Sequence, residues 1–202
     1  MVVVSASVVA QTEVEDRRED VNFGLKAGAN ISNVWDENQG DFEANSKAGF
    51  VGGAFISIPL GEYVGVQPSV IYSQKGFQEQ GQVLGNSYTF TRTTNYLDIP
   101  VLFEFKPTKM LTIVAGPQYS FLMSKEDQFT SGTLSATDFE RYENENIRKN
   151  TLGAVVGFDV NVNDWVISPR AGWDLQSNDG DGTSSDIRYK NQWLQLAVGY
   201  RF

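Results

Sequence analysis

The side chains of this chain that could carry chemistry are carboxylates and hydroxyls, because it contains neither histidine nor cysteine. Without histidine, the Ser-His pairs and Asp-His dyads that barrel-borne hydrolases and acyltransferases use as general bases cannot be assembled. Without cysteine there is no disulfide framework and no thiolate metal site. A carboxylate pair could still pass a proton, and Asp98 and Glu104 are the nearest approach to one. On one extended strand they would stand roughly 20 Å apart, too far to act together. They read better as ions that need partners such as Lys26, Arg170 or Arg201. The segment SNDGDGTSSD places Asp179, Asp181 and Asp186 among glycines, but it lacks the terminal bidentate Glu of a calcium loop. That segment and the acidic group Asp36, Glu37, Asp41 and Glu43 read as solvated loops. No catalytic residue, cofactor or metal ligand is expected.

The elements that carry these groups follow a period of two. From Val21, the residues Phe23, Leu25, Ala27, Ala29 and Ile31 share one face, against Asn22, Gly24, Lys26, Gly28 and Asn30. This is a strand with one apolar and one polar face. The pattern recurs through KAGFVGGAFISI, YVGVQPSVIYSQ, YLDIPVLFEF, MLTIVAGPQYSFLMS, TLGAVVGFDVNV, WVISPRAGWDL and WLQLAVGYRF, which makes eight strands. No run approaches the roughly 18 apolar residues that a membrane helix requires. Within the strands the charged residues are Lys26, Lys47, Asp98, Glu104, Asp159, Arg170, Asp174 and Arg201, all in phase with the polar face. Four are positive and four negative, the balance a closed interior wants, since buried charge must be paired.

Connections alternate in length. PLGE at 59–62, KPTK at 106–109 and Asn163-Asp164 are tight, whereas 33–46, 75–95, 125–150 and 176–190 are long and polar. Short turns at one end and long loops at the other describe an eight-stranded antiparallel up-and-down transmembrane β-barrel. Aromatics on the apolar face fall near both ends, with Phe23, Phe105, Phe158, Trp165, Tyr200 and Phe202 toward the turns. Phe50, Tyr72, Phe121 and Trp173 lie toward the loops, as interfacial girdles do. Pro68, Pro100, Pro117 and Pro169 interrupt predicted strands and remove ladder donors. Bulges, or donors turned toward a wet interior, would accommodate them.

Residues 1–10 (MVVVSASVVA) read as the remnant of a secretion signal, with Val8 and Ala10 at the −3 and −1 positions of a cleavage site. Residues 11–20 form a mobile charged lead-in, and 21–202 form the barrel domain. The net charge of −9 excludes a nucleic-acid surface.

The segments FGLKAGANIS, QPSVIYSQKG, YLDIPVLFEF, AGPQYSFLMS and the terminal LAVGYRF resemble, in order and spacing, the PorT-like outer-membrane β-barrel family. The resemblance spans 21–202 and implies residence in a Gram-negative-type outer membrane, with loops extracellular and termini periplasmic. Val198, Tyr200 and Phe202 resemble the C-terminal signal read by the barrel-assembly machinery. The expected surroundings are the lipid bilayer, lipopolysaccharide, that machinery and other envelope proteins. The expected role is structural or interactive rather than enzymatic, working through long loops above a largely plugged lumen. A small porin-like channel or secretion-apparatus subunit, and a soluble lipocalin-like binding barrel, are the alternatives.

Overall fold

A computed structural model of the chain describes residues 16–36, 44–83, 86–131, 134–140, 149–177 and 189–202. The signal-like segment 1–10, the acidic residues Glu37, Asp41 and Glu43, and the loop of Asp179, Asp181 and Asp186 lie outside the described residues. The described strands are β1 (Asn22–Asp36), β2 (Ala44–Pro59), β3 (Val64–Val83), β4 (Asn86–Thr108) and β5 (Leu111–Ser131). They are followed by β6 (Leu134–Glu140), β7 (Asn150–Val162), β8 (Trp165–Asp174) and β9 (Tyr189–Arg201).

Every pairing is antiparallel, and the pairings β1–β2, β2–β3, β3–β4, β4–β5, β5–β7, β7–β8, β8–β9 and β9–β1 close an eight-membered ring. Closure pairs the edges that a lone sheet would leave open. The remaining strand, β6, lies outside the ring and pairs with the upper part of β5. At the opposite end β7 and β8 join through Asn163-Asp164, where Asn163 takes φ 54°, a left-handed conformation that asparagine tolerates well.

The alternation sorts side chains by medium. Phe23, Leu25, Ile31, Phe103, Leu194 and Leu196 are exposed on the outside of the ring, while Lys26, Asn30, Asp98, Glu104 and Asp159 are buried within it. A soluble lipocalin-like barrel would show the reverse. Lipid removes the penalty for exposing apolar groups, and an interior just wide enough for eight strands' side chains takes the polar ones.

The loop end differs from the expectation in two places. Residues 75–95 are mostly strand, since β3 and β4 stay in register up to Val83↔Asn86. The segment 125–150 likewise contains the rest of β5 and all of β6. The reason is that the side-chain alternation does not stop at the membrane boundary; it inverts. Gln74, Gln78, Thr91 and Thr93 continue the outward face as polar residues, and Phe77 is buried on the inward face with Val34, against Phe90. A raised wall results on the β3–β4–β5–β6 side. Gly76 sits within this wall, with φ 150° and so close to the Arg92 carbonyl that a Cβ would collide with it.

The prolines are accommodated without bulges at their own positions. The β3–β4 ladder steps from Pro68↔Val101 to Ile71↔Asp98 in unchanged register. The β4–β5 ladder does the same between Pro100↔Gln118 and Phe103↔Ala115. Each skips the bonds that a proline could not donate. The register shifts lie elsewhere, at Ser46/Val51, Asn95/Tyr96 and Phe105/Thr108.

Candidate functional site

The interior divides into two polar layers. In the turn-end layer Asp159, from β7, accepts hydrogen bonds from Arg170 at 2.6 Å, from Ser168, and from Gln67 at 3.3 Å. Gln67 also donates to Glu104 at 2.9 Å. Glu104 in turn pairs with Lys106 at 3.0 Å and accepts from Ser57 at 2.7 Å. Two carboxylates, one amide, two hydroxyls and two cations are thereby bonded into one chain spanning β2, β3, β4, β7 and β8. Lys26 is buried beside them, its ammonium 5.1 Å from the Phe55 ring centre. Burying so many charges is tolerable only because nearly all are hydrogen-bonded as well as paired.

The loop-end layer is built around Lys75, whose side chain is 1% exposed. Its ammonium lies 3.1 Å from Asp98, 3.7 Å from the Trp193 ring centre and 4.9 Å from that of Tyr96. A desolvated ammonium over an indole face gains on the order of 2 kcal/mol. Asp174 is buried nearby and accepts from the Asn191 side chain at 2.6 Å. Between the layers, Leu102, Val114, Val155 and Trp193 form a buried apolar cluster.

Of the eight charges read from the sequence, Lys26, Glu104, Asp159 and Arg170 come together in the turn-end layer, with Arg201 lining the same small cavity as Glu104 and Asp159. Asp98 and Asp174 lie in the loop-end layer. Lys47 is half-buried beside the β2 bulge, and the carboxylate whose field reaches it is Glu126 on β5. Sequence reasoning misses three buried lysines, Lys75, Lys106 and Lys125, because two fall in segments that read as loops and one in a turn. The available signal was phase: Lys75 continues the Gln67, Ser69, Ser73 register, and Lys106 follows Glu104 by two residues. Val198, Tyr200 and Phe202 share the outward face of the last strand, where Tyr200 packs edge-on against Trp165 at 5.2 Å and Phe202 at 5.3 Å.

The lead-in residues cross the turn-end mouth. Arg17 pairs with Asp164 at 3.0 Å and Arg18 with Glu62 at 2.9 Å, while Lys106 donates to the Arg18 carbonyl at 3.2 Å. Arg18 also bonds Asp16, whose carboxyl this guanidinium holds down at about 2. Behind this strap lies a cavity of about 20 Å³, lined by Arg17, Arg18, Glu104, Lys106, Asp159 and Arg201 among others. It is room for about one water.

A closed antiparallel ring with an apolar exterior and a hydrogen-bonded ionic interior is a transmembrane β-barrel. The particular family is shown by sequence: the chain belongs to the outer membrane protein beta-barrel domain family, whose model matches residues 9–178. This places it in the outer membrane. Among solved structures it is similar to Ail, the attachment invasion locus protein of Yersinia pestis, at 15% identity and a TM-score of 0.47, over 90% of this chain and 99% of that one. It is also similar to Neisserial surface protein A, at 10% identity and a TM-score of 0.49, over 89% and 97% of the two chains. The outer membrane protein OprG from Pseudomonas aeruginosa matches at 14% identity and a TM-score of 0.43, over 91% and 97%. No curated protein matches the chain by sequence.

Proposed function

We propose that this protein is a non-enzymatic outer-membrane barrel whose lumen is closed and whose work is done at its loop end. In this reading the turns and both termini face the periplasm and the loops face outward into the lipopolysaccharide layer. Val198, Tyr200 and Phe202 serve as the signal for the barrel-assembly machinery. The observation that carries the reading is the filling of the interior: the Glu104–Lys106 and Asp159–Arg170 pairs, the Leu102–Val114–Val155–Trp193 cluster and Lys75 succeed one another along the axis. An interior of eight strands has little width beyond that. The absence of histidine supports a non-catalytic role. Reconstituted in planar bilayers at neutral pH, the protein should give no stable large conductance. Reproducible nanosiemens channels would overturn the closed lumen and favour a porin-like barrel.

A second reading is favoured by the raised wall. Its Tyr88 and Phe129 rings stack at 5.5 Å, and Arg92 is clamped to Asp127 at 2.7 Å between Phe77 and Phe90. A projection braced by these contacts suits contact with other envelope proteins, as a subunit of a secretion apparatus, which the PorT-like resemblance also suggests. Recovery of defined envelope partners on crosslinking in native membranes supports this reading; recovery of the barrel alone removes it.

A further inference from the structure

Opposite the raised wall, where β8 stops at Asp174 while β1 and β9 continue beyond it, the rim carries a cavity of about 760 Å³. That volume is in the range of small-molecule sites. Its lining comes from both faces of the same strands. Ile31, Ala171, Trp173 and Leu194 belong to the outward apolar face, whereas Gly172, Asp174, Asn191 and Trp193 point inward. The cavity therefore straddles the low edge of the wall, apolar on the lipid side and polar on the lumen side.

The polar end has a charge imbalance. Asp174 is buried and makes no ion pair among the described residues; the hydrogen bonds it accepts come from the Asn191 amide and side chain at 3.3 and 2.6 Å. The cation whose field reaches it is Lys75, which is committed to Asp98 at 3.1 Å and to the Trp193 face. Two carboxylates thus share one ammonium. Lys190 also lines the cavity and is engaged with a partner of its own. A buried carboxylate without a cation is costly, and a ligand cation would relieve that cost. The neighbouring indoles and aliphatic side chains would take an apolar body, and indole faces attract ammonium groups.

We propose that this rim cavity binds amphipathic organic cations, with the ammonium on the Asp174 carboxylate and the apolar part against Trp173, Leu194 and Ile31. The test uses the full chain in phosphatidylcholine nanodiscs, titrated with 2-phenylethylammonium and, in parallel, with the uncharged 2-phenylethanol, followed by calorimetry. Wild type should bind the cation saturably at one site and the alcohol at least tenfold more weakly. Asp174→Asn should bring the cation down to the affinity of the alcohol. This variant deletes an unpaired buried charge, so it should fold, which its intact heat-modifiable mobility on gels would verify. Trp173→Ala, on the outward face, should weaken both ligands by a similar factor and leave their ratio unchanged. Absence of saturable cation binding, equal affinity for the alcohol, or undiminished binding by Asp174→Asn each overturns the proposal.

Discussion

The most direct probe of the barrel's interior is to remove one member of its best-bonded ion pair. Arg170→Met takes the guanidinium from Asp159, which is left with hydrogen bonds from Ser168 and Gln67 and with the field of Lys26. Asp159 is 3% exposed, so bulk water does not replace the lost partner. Breaking a buried pair by deleting one side costs about 3–5 kcal/mol, because the surviving charge stays desolvated. Lys26 offsets part of this, which puts the expected loss near the low end, about 3 kcal/mol. Replacing both, as Arg170→Met with Asp159→Leu, removes the orphaned charge and should bring stability back to within about 1–2 kcal/mol of wild type. The assay is equilibrium urea unfolding in lipid vesicles, read by tryptophan fluorescence and checked for reversibility from both directions. A loss below about 1 kcal/mol for the single variant would mean that water reaches Asp159, since screened pairs are worth no more than that. That result would refute an interior shielded from bulk water. A double variant no better than the single would refute the claim that the surviving charge is the cost.

Two further outcomes follow from the medium around the barrel and from its lead-in. Val101 lies midway along the lipid-facing part of β4, below Asn95, and Leu60 in the β2–β3 turn, both substantially exposed, so arginine at each separates lipid from water. Val101→Arg should destabilise by about 2–4 kcal/mol and Leu60→Arg by less than about 1 kcal/mol; equal costs in the same unfolding assay would place the bilayer elsewhere. The Asp16 carboxyl, held near 2 chiefly by its hydrogen bond from Arg18 against an ordinary 3.8, has a folded value below its unfolded one. Its contribution to the contact with Arg18 within the lead-in is therefore complete above the ordinary carboxylate range and lost as pH falls through about 2. A carboxyl NMR titration should give a midpoint near 2 that Arg18→Gln moves upward; an ordinary midpoint in wild type would show that the contact does not form.

Much of the barrel was readable from the alternation because lipid and lumen impose opposite demands on successive residues. Phe23, Leu25 and Ile31 against Asn22, Lys26 and Asn30 is that demand written out over one strand. The rule failed where the medium changes. Above the boundary at Gln74 and Asn95 the outside is no longer lipid, so polar residues face out and Phe77 and Phe90 face in. A reader following apolar-out alternation loses the strand there and takes it for a loop. Lys75 was lost for the same reason, being the last lumenal residue before the inversion. The apolar lumen residues Phe55, Leu102, Val114 and Trp193 were also invisible, since they sit among outward apolar neighbours and read as mere breaks in the pattern.

The sequence sums its strand charges to zero, but the fold does not mix them evenly. The turn-end layer holds Lys26, Lys106, Arg170 and Arg201 against Glu104 and Asp159. The loop-end layer holds Lys75 against Asp98 and Asp174. Around Asp174 the carboxylates therefore outnumber the one ammonium they share, and the apolar cluster around Leu102 separates this group from the cation-rich turn-end layer. In so poorly screened an interior, these fields extend over neighbouring residues. A cation arriving from the loop end meets attraction at Asp174 and repulsion one layer deeper, from Arg170 and its neighbours. The proposed cation site at the rim and the proposed closed lumen thus draw on the same distribution of charge.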